Sequence, residues 1–242
     1  MSLEVRDFIS KCDVCKQSKA PNTVLRPLMG DRIESERPFQ RIYMDFLGAY
    51  PRSKCGNVGI LVILDHFTKY PILKLVKRFA STEICNFVES DIFHLFGVPE
   101  FVVTDNGSQF KSVLFENLLE KYGVKHIYTA SYSPQSNSSE RLNRSILAAI
   151  RSYLKQDQRE WDSHLSNICV ALRSLIHSSI GYSPFHALFG YTMITHGKSY
   201  QLVRNIDSLG NGEDIHYSDK LHIIREKVKE NLERAYNSYK KT

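Results

Sequence analysis

No stretch of this 242-residue chain approaches the roughly 18 uninterrupted apolar residues that a membrane-spanning helix requires, and no secretory signal opens it. That sets aside a helical membrane protein, and no membrane partner is expected. Cysteine is scarce and odd in number: of five, Cys55, Cys85 and Cys169 stand singly in apolar or loop contexts. A disulfide-stapled scaffold does not fit such usage, and reduced thiols inside a cell are expected. Cys12 and Cys15 form a C-x-x-C pair, a spacing suited to two thiolates on one tetrahedral zinc, yet no histidine occurs before His66. A redox role is the alternative for the pair, but no thioredoxin-like βαβ pattern surrounds it. Acidic residues are outnumbered: 32 Lys and Arg against 26 Asp and Glu leave a net charge of +6, a nudge toward a polyanionic partner.

What is present suffices for a core, with 42% hydrophobic residues. Three apolar runs rich in β-branched and aromatic residues, 41–48, 58–66 and 70–76, read as successive strands. The second is apolar on both alternations, as a strand covered on both faces should be. Residues 81–96 carry Ile84, Phe87, Val88, Ile92 and Leu95 at helical spacing, closed by Gly97 and Pro99. Strands at 100–104 and 124–130 then flank a helix at 112–122, and a long helix runs from about 137 to 155. Further on, Trp161, Leu165, Ile168, Ala171, Leu172 and Leu175 share one helical stripe. Residues 198–214 form a polar loop, and Tyr217, Leu221, Ile224, Val228, Leu232, Ala235 and Tyr239 line a last, basic helix. Pro21, Pro27, Gly30 and Pro38 mark a linker ahead of the first strand.

Three carboxylates stand out against this frame. Asp45 ends an apolar run, Asp105 ends Phe-Val-Val-Thr-Asp, and Glu140 lies where the long helical pattern begins. Two acids at the ends of buried strands and a third on a helix facing them are able to hold two hard divalent cations. Such a pair, roughly 3.5–4 Å apart, clamps the attacking and leaving oxygens of an in-line displacement at phosphorus. Each acid also has a plainer reading. Asp105 with Asn106 and Gly107 is good turn chemistry in any protein, and Glu140 fits a capping box behind Asn137. Asp45 is harder to dismiss, because a strand seldom carries a carboxylate without a partner. Asp65 also ends an apolar strand and reads as structural, paired with Lys69 or a backbone amide. On the long helix Leu142, Ile146, Ala149, Ile150 and Tyr153 share one face, while Arg141, Arg144, Arg151 and Lys155 share another beside Glu140. That basic stripe suits phosphates, although a solvated face is the commoner use of such charges.

Several motifs in order make the chain resemble the integrases of retroviruses and, more closely, of gypsy-class LTR retrotransposons. They are Cys12-Asp-Val-Cys15, Met44-Asp-Phe-Leu-Gly48, Val103-Thr-Asp-Asn-Gly-Ser-Gln-Phe110, Tyr132-Ser-Pro-Gln-Ser-Asn137, Glu140-Arg-Leu-Asn-Arg144, Trp161, and His177 through Phe185 with Leu188-Phe-Gly190. The resemblance implies an α/β, RNase H-like fold: a five-stranded mixed sheet with flanking helices and a carboxyl-terminal helical extension. It divides the chain into residues 1–37, the trailing part of a zinc-binding module and linker, the catalytic core 38–197, and the loop and basic helix 198–242. The zinc ligands that complete the module in the family are histidines ahead of the cysteine pair, so Zn²⁺ binding at Cys12 and Cys15 is not expected. The β-barrel or chromodomain that often follows the core is likewise not recognised.

The resemblance further implies that Asp45, Asp105 and Glu140 are the catalytic trio, ligating two Mg²⁺ with Mn²⁺ as substitute. The activity implied is 3′-end processing and strand transfer of element DNA into target DNA. Tyr132, Ser133, Gln135 and Asn137 are similar to loop residues that touch the DNA end, with Arg141, Arg144, Arg151 and Lys155 beyond them. DNA partners, a homo-oligomer and a nuclear location, with a cytoplasmic phase, follow from the same resemblance. Trp161 is expected to pack and His177 to be hydrogen-bonded scaffold. One departure is the separation of the last two acids, 140 − 105 = 35 positions, one fewer than most members show, with Ser138 and Ser139 in the shortened loop. A catalytically inactive relic that binds DNA or protein is the competing reading. A plain RNase H-like nuclease is a third, against which the Pro-Gln-x-Asn and Glu-Arg motif argues.

Overall fold

A computed structural model describes residues 35–129, 137–153, 158–201 and 217–241, all within one compact unit, Arg32–Thr242. The apolar runs read from the sequence are strands: β1 (Arg41–Gly48), β2 (Gly59–Asp65) and β3 (Pro71–Val76). They form an antiparallel meander, joined on the other side of β1 by β4 (Phe101–Thr104) and β5 (Lys125–Tyr128), both parallel to it. The resulting order, β3-β2-β1-β4-β5, is that of an RNase H-like sheet.

Alternation along the strands sends side chains to two cores. Ile42 and Met44 of β1, Leu61 and Ile63 of β2, and Val102 of β4 meet α1 (Ser81–Phe87) and its continuation. That continuation is a π-helical stretch, Val88–Phe93, ending in a single turn, α2 (His94–Phe96). Phe115 and Leu119 of α3 (Val113–Lys121) close the same core. On the opposite face Ile60 and Val62 of β2 pack against Ile146 and Ile150 of α4 (Asn137–Tyr153) and Ile168 of α5 (Leu165–Ser174). Since β2 contributes to both, every one of its residues is buried. Burying each large side chain of this kind contributes about 1.5–3 kcal/mol.

The stripe expected to begin at Trp161 is shorter than its periodicity suggests. Trp161 lies before α5, in the turn after a 3-10 segment, Gln158–Glu160, where its indole N–H donates to Pro51 O at 2.9 Å. Leu175 lies beyond the helix at the other end and is 65% exposed. At the Trp161 end the turn is held by Asp162. Its buried carboxylate accepts from the Ser53 hydroxyl at 2.5 Å and from Asn57 Nδ2 at 2.6 Å, which ties the turn to the β1–β2 hairpin. Beyond α5, α6 (Pro184–Phe189) begins with Ser183 capping the His186 N–H, and α7 (Tyr217–Lys241) lays Ile224 and Val228 on Phe67, Ile180 and Ala187.

Asp65 is fully buried at the end of β2 and binds main-chain amides, as its strand-end position led us to expect. Its carboxylate accepts from Phe39 N–H at 2.9 Å, Phe67 N–H at 3.3 Å, Thr68 N–H at 2.8 Å and the Thr68 hydroxyl at 2.5 Å. Neighbouring Lys69 is also buried; burial pushes its ammonium down to about 8, with the charge of Asp65 acting the other way. Asp65→Ala leaves three buried N–H groups without an acceptor, at about 1–3 kcal/mol each. Denaturant unfolding is expected to show a loss of at least about 3 kcal/mol; a loss well under that figure would mean the amides find other acceptors.

Candidate active site

Asp45 and Asp105 are brought together by strand register. In the parallel pairing of β1 with β4, Met44 is level with Thr104, so the next residues, Asp45 and Asp105, stand side by side where the two strands end their pairing. Side-chain alternation decides the face. Tyr43 and Val103, two residues before each acid, share the cluster that partly buries Leu142 of α4, which puts both acids on the α4 side of the sheet.

Each carboxylate is held by specific donors. Asp45 Oδ1 accepts the N–H of Phe46 at 2.8 Å, and Oδ2 accepts from Asn143 Nδ2 on α4 at 2.7 Å. Asp105 Oδ1 accepts the Gly107 N–H at 2.9 Å. A Cβ at 107 would lie 2.9 Å from Asp105 Oδ1 and 3.0 Å from Gln109 Oε1, so a larger residue there would push the Asp105 carboxylate aside. Asn106 Nδ2 donates to Thr129 O at 3.2 Å, pinning the turn to the end of β5.

Asn143 is the residue that sequence reasoning missed. Its amide ties α4 directly to Asp45, and its Oδ1 is buried with no partner among the described residues. The only available signal was its place three positions after Glu140, which puts the two on one flank of the helix. Glu140, Asn137, Arg141 and Arg151 have their backbones in α4, but their side chains lie outside the described part of the structure. Arg144 is exposed on the same helix. Tyr132, Ser133, Gln135 and Lys155 lie outside the described residues, as do Cys12 and Cys15. Consistent with that, no group of three or more His, Cys, Asp or Glu able to hold a metal is assembled among the described residues.

The electrostatics of the pair fit a hard cation. Burial pushes the Asp45 carboxyl above its ordinary range; the Asn143 hydrogen bond opposes this, the charge of Asp105 adds to it, and the Phe46 N–H opposes it. Neither acid enters an ion pair among the described residues. Two adjacent all-oxygen ligands with no neutralising side chain suit Mg²⁺ or Mn²⁺ rather than zinc. A folded pKa above the unfolded value means that the metal-free protein binds more protons than the unfolded chain. It therefore loses stability as pH rises from the unfolded pKa through the folded one. At neutral pH, Asp45→Asn is expected to raise the Tm measured in EDTA and to diminish any stabilisation by added Mg²⁺. A lower Tm in EDTA would contradict the burial argument.

Comparison with known proteins agrees with this geometry. Residues 35–134 match the Integrase core domain model. The Transposon Tf2-3 and Tf2-4 polyproteins of Schizosaccharomyces pombe (strain 972 / ATCC 24843) are each 25% identical over 195 residues, 78% of this chain. The chain spans 14% of the length of those relatives. Among solved structures, a chain of the simian T-cell lymphotropic virus intasome in complex with PP2A regulatory subunit B56 gamma aligns with a TM-score of 0.54 at 20% identity. The alignment covers 76% of this chain and 65% of that one, and at such identity it speaks for the fold. The fold is RNase H-like, residues 35–134 resemble an integrase core domain, and 78% of the chain is similar to retrotransposon polyproteins.

Proposed function

We propose that the chain is a divalent-metal-dependent DNA strand transferase that processes the 3′ ends of an LTR element and joins them to target DNA. The observation that carries this reading is the side-by-side placement of Asp45 and Asp105 by the β1–β4 register, with α4 lying across Asp45. Asp45, Asp105 and Glu140 are the ligand set, holding two Mg²⁺ or, as substitutes, two Mn²⁺. When bound, such a pair neutralises the phosphodiester charge and lowers the pKa of the attacking hydroxyl or water.

The protein's own part is orientation. Phe46 N–H and Asn143 fix the two oxygens of Asp45, and Gly107 N–H fixes Asp105, so neither carboxylate must reorganise during reaction. Glu140 stands one helical turn before Asn143 on α4. In the first step a water oxygen attacks a phosphodiester near the 3′ end, and the leaving 3′-oxygen becomes a hydroxyl. In the second that hydroxyl attacks target DNA, displacing another 3′-oxygen, with no covalent protein intermediate. Arg144, exposed on α4, holds backbone phosphates, and Arg141, Arg151, Lys155, Tyr132, Ser133, Gln135 and Asn137 are the further DNA contacts. DNA and further copies of the chain are the partners, in line with the intasome to which the simian virus chain belongs, and the nucleus is the place of action.

The test is a Mg²⁺- or Mn²⁺-dependent disintegration assay, the reverse of strand transfer, on branched DNA. Asp105→Asn and Glu140→Gln are each expected to slow resealing at least about a hundredfold, the scale of losing one charge-stabilising group. Folded wild-type protein that binds metal but reseals nothing would sink the transferase reading and favour a DNA-binding relic. For the DNA surface, Arg144→Ala is expected to lower the slope of log affinity against log salt by about one. An unchanged slope returns that helix face to solvent.

A further inference from the structure

Behind Asp105 runs a chain of hydrogen bonds that the mechanism above does not use. Thr104, the last residue of β4, is 1% exposed, and its hydroxyl donates to the carbonyl oxygen of Asp105 at 2.9 Å. The same hydroxyl oxygen lies 2.9 Å from Nε2 of His126, on β5. On the far side of the ring, Nδ1 of His126 is 2.8 Å from Glu116 Oε1, on α3. Glu116 Oε1 also accepts the Tyr128 hydroxyl at 2.5 Å. The imidazole is 7% exposed, held edge-to-face by Phe115 at 5.5 Å and packed against the tilted ring of Tyr128 at 4.3 Å between centroids. Lys111 caps the outer face of the Tyr128 ring at 5.6 Å.

Counting protons gives the chain a direction. Burial would raise the Glu116 carboxyl, but hydrogen bonds from Tyr128 and His126 outweigh it and hold the group below its usual range. Glu116 is therefore an acceptor only, and His126 Nδ1 must carry a proton. The Thr104 hydroxyl proton goes to the Asp105 carbonyl, and the same oxygen stands against His126 Nε2. Without the ring, the Thr104 hydroxyl loses the partner that orients it, and the Asp105–Asn106 peptide loses that tether. This peptide opens the turn whose Gly107 N–H orients the Asp105 carboxylate.

We propose that His126, oriented by Glu116, is a positioning residue for Asp105, acting through the Thr104 hydroxyl on the peptide that follows the carboxylate. This rests on Asp105 being a ligand of the divalent cation. Its test uses Mn²⁺ affinity of the full chain, measured by calorimetry or by the electron paramagnetic resonance signal of free Mn²⁺, beside Tm for each variant. Thr104→Val keeps shape and strand preference but removes the hydroxyl, and is expected to weaken Mn²⁺ binding about tenfold, the lower end for residues that orient a metal ligand. Thr104→Ser, which keeps the hydroxyl, is expected to restore wild-type affinity; a merely structural role would not separate the two in this way. His126→Gln is expected to weaken binding to a similar degree, and carries the comparison if Thr104→Val does not fold.

Wild-type affinity in Thr104→Val or His126→Gln overturns the proposal, as does equal weakening in Thr104→Ser. A wild-type chain that binds no Mn²⁺ also overturns it. If Mn²⁺ binds and the variants separate as expected while no DNA is joined, the positioning role stands and the transferase reading falls.

Discussion

The parallel register between β1 and β4 is the constraint on which the site depends. With Met44 level with Thr104, two carboxylates leave adjacent strands at the same height and on the same face. Shifting either strand by one residue would send its acid to the opposite face, into the core built on Ile42, Met44 and Val102. Burial resists such a slip, because β2 beside β1 is covered on both faces and offers no polar side to receive a displaced strand. Stability of the sheet and placement of the acids are therefore one requirement. The β1–β2 pairing completes it by setting Asp45 opposite Val62, so that the carboxylate is flanked by apolar packing.

Three buried or partly buried acids in this fold contrast in how they are satisfied. Asp65 takes three amide protons and a hydroxyl proton, enough to occupy both of its oxygens. Asp162 takes a hydroxyl and a side-chain amide, and holds the segment between α4 and α5 to the β1–β2 hairpin. Among the described residues Asp45 has one donor for each oxygen, and it faces the negative charge of Asp105. The first two stabilise the fold as they stand. Asp45 is left under-compensated, which is the condition that favours an external cation over a side chain of the protein.

How much could be read ahead followed from how local the cause was. Strands announced themselves by β-branched runs, and the buried faces of α4 and α7 by their spacing, with Ile146, Ile150, Ile224 and Val228 all buried. Asp45 and Asp105 were visible because an acid ending an apolar run is locally anomalous. Trp161 misled because periodicity was carried through a turn that Asp162 ties to residues over a hundred positions away, and Leu175 because the helix stops one residue before it. Asn143 lay inside the Glu140-to-Arg144 motif, but nothing local gave it a role: a polar residue on an amphipathic helix looks the same whether it faces water or a carboxylate. His126 and Glu116 were equally silent, since their partnership exists only once β5 lies beside β4 and α3 packs near it.

By itself, then, the sequence determined which segments are strands and helices, which residues are apolar enough to be core, and which acids are out of place in their surroundings. These follow from the preferences of each residue and its near neighbours. Tertiary structure decided that Asp45 and Asp105 meet, that Asn143 reaches Asp45 across 98 positions, and that His126 stands behind Asp105 through Thr104. Such contacts depend on strand register and on where a helix crosses the sheet. Those are set by the packing of many apolar side chains at once, and no single stretch of sequence carries them.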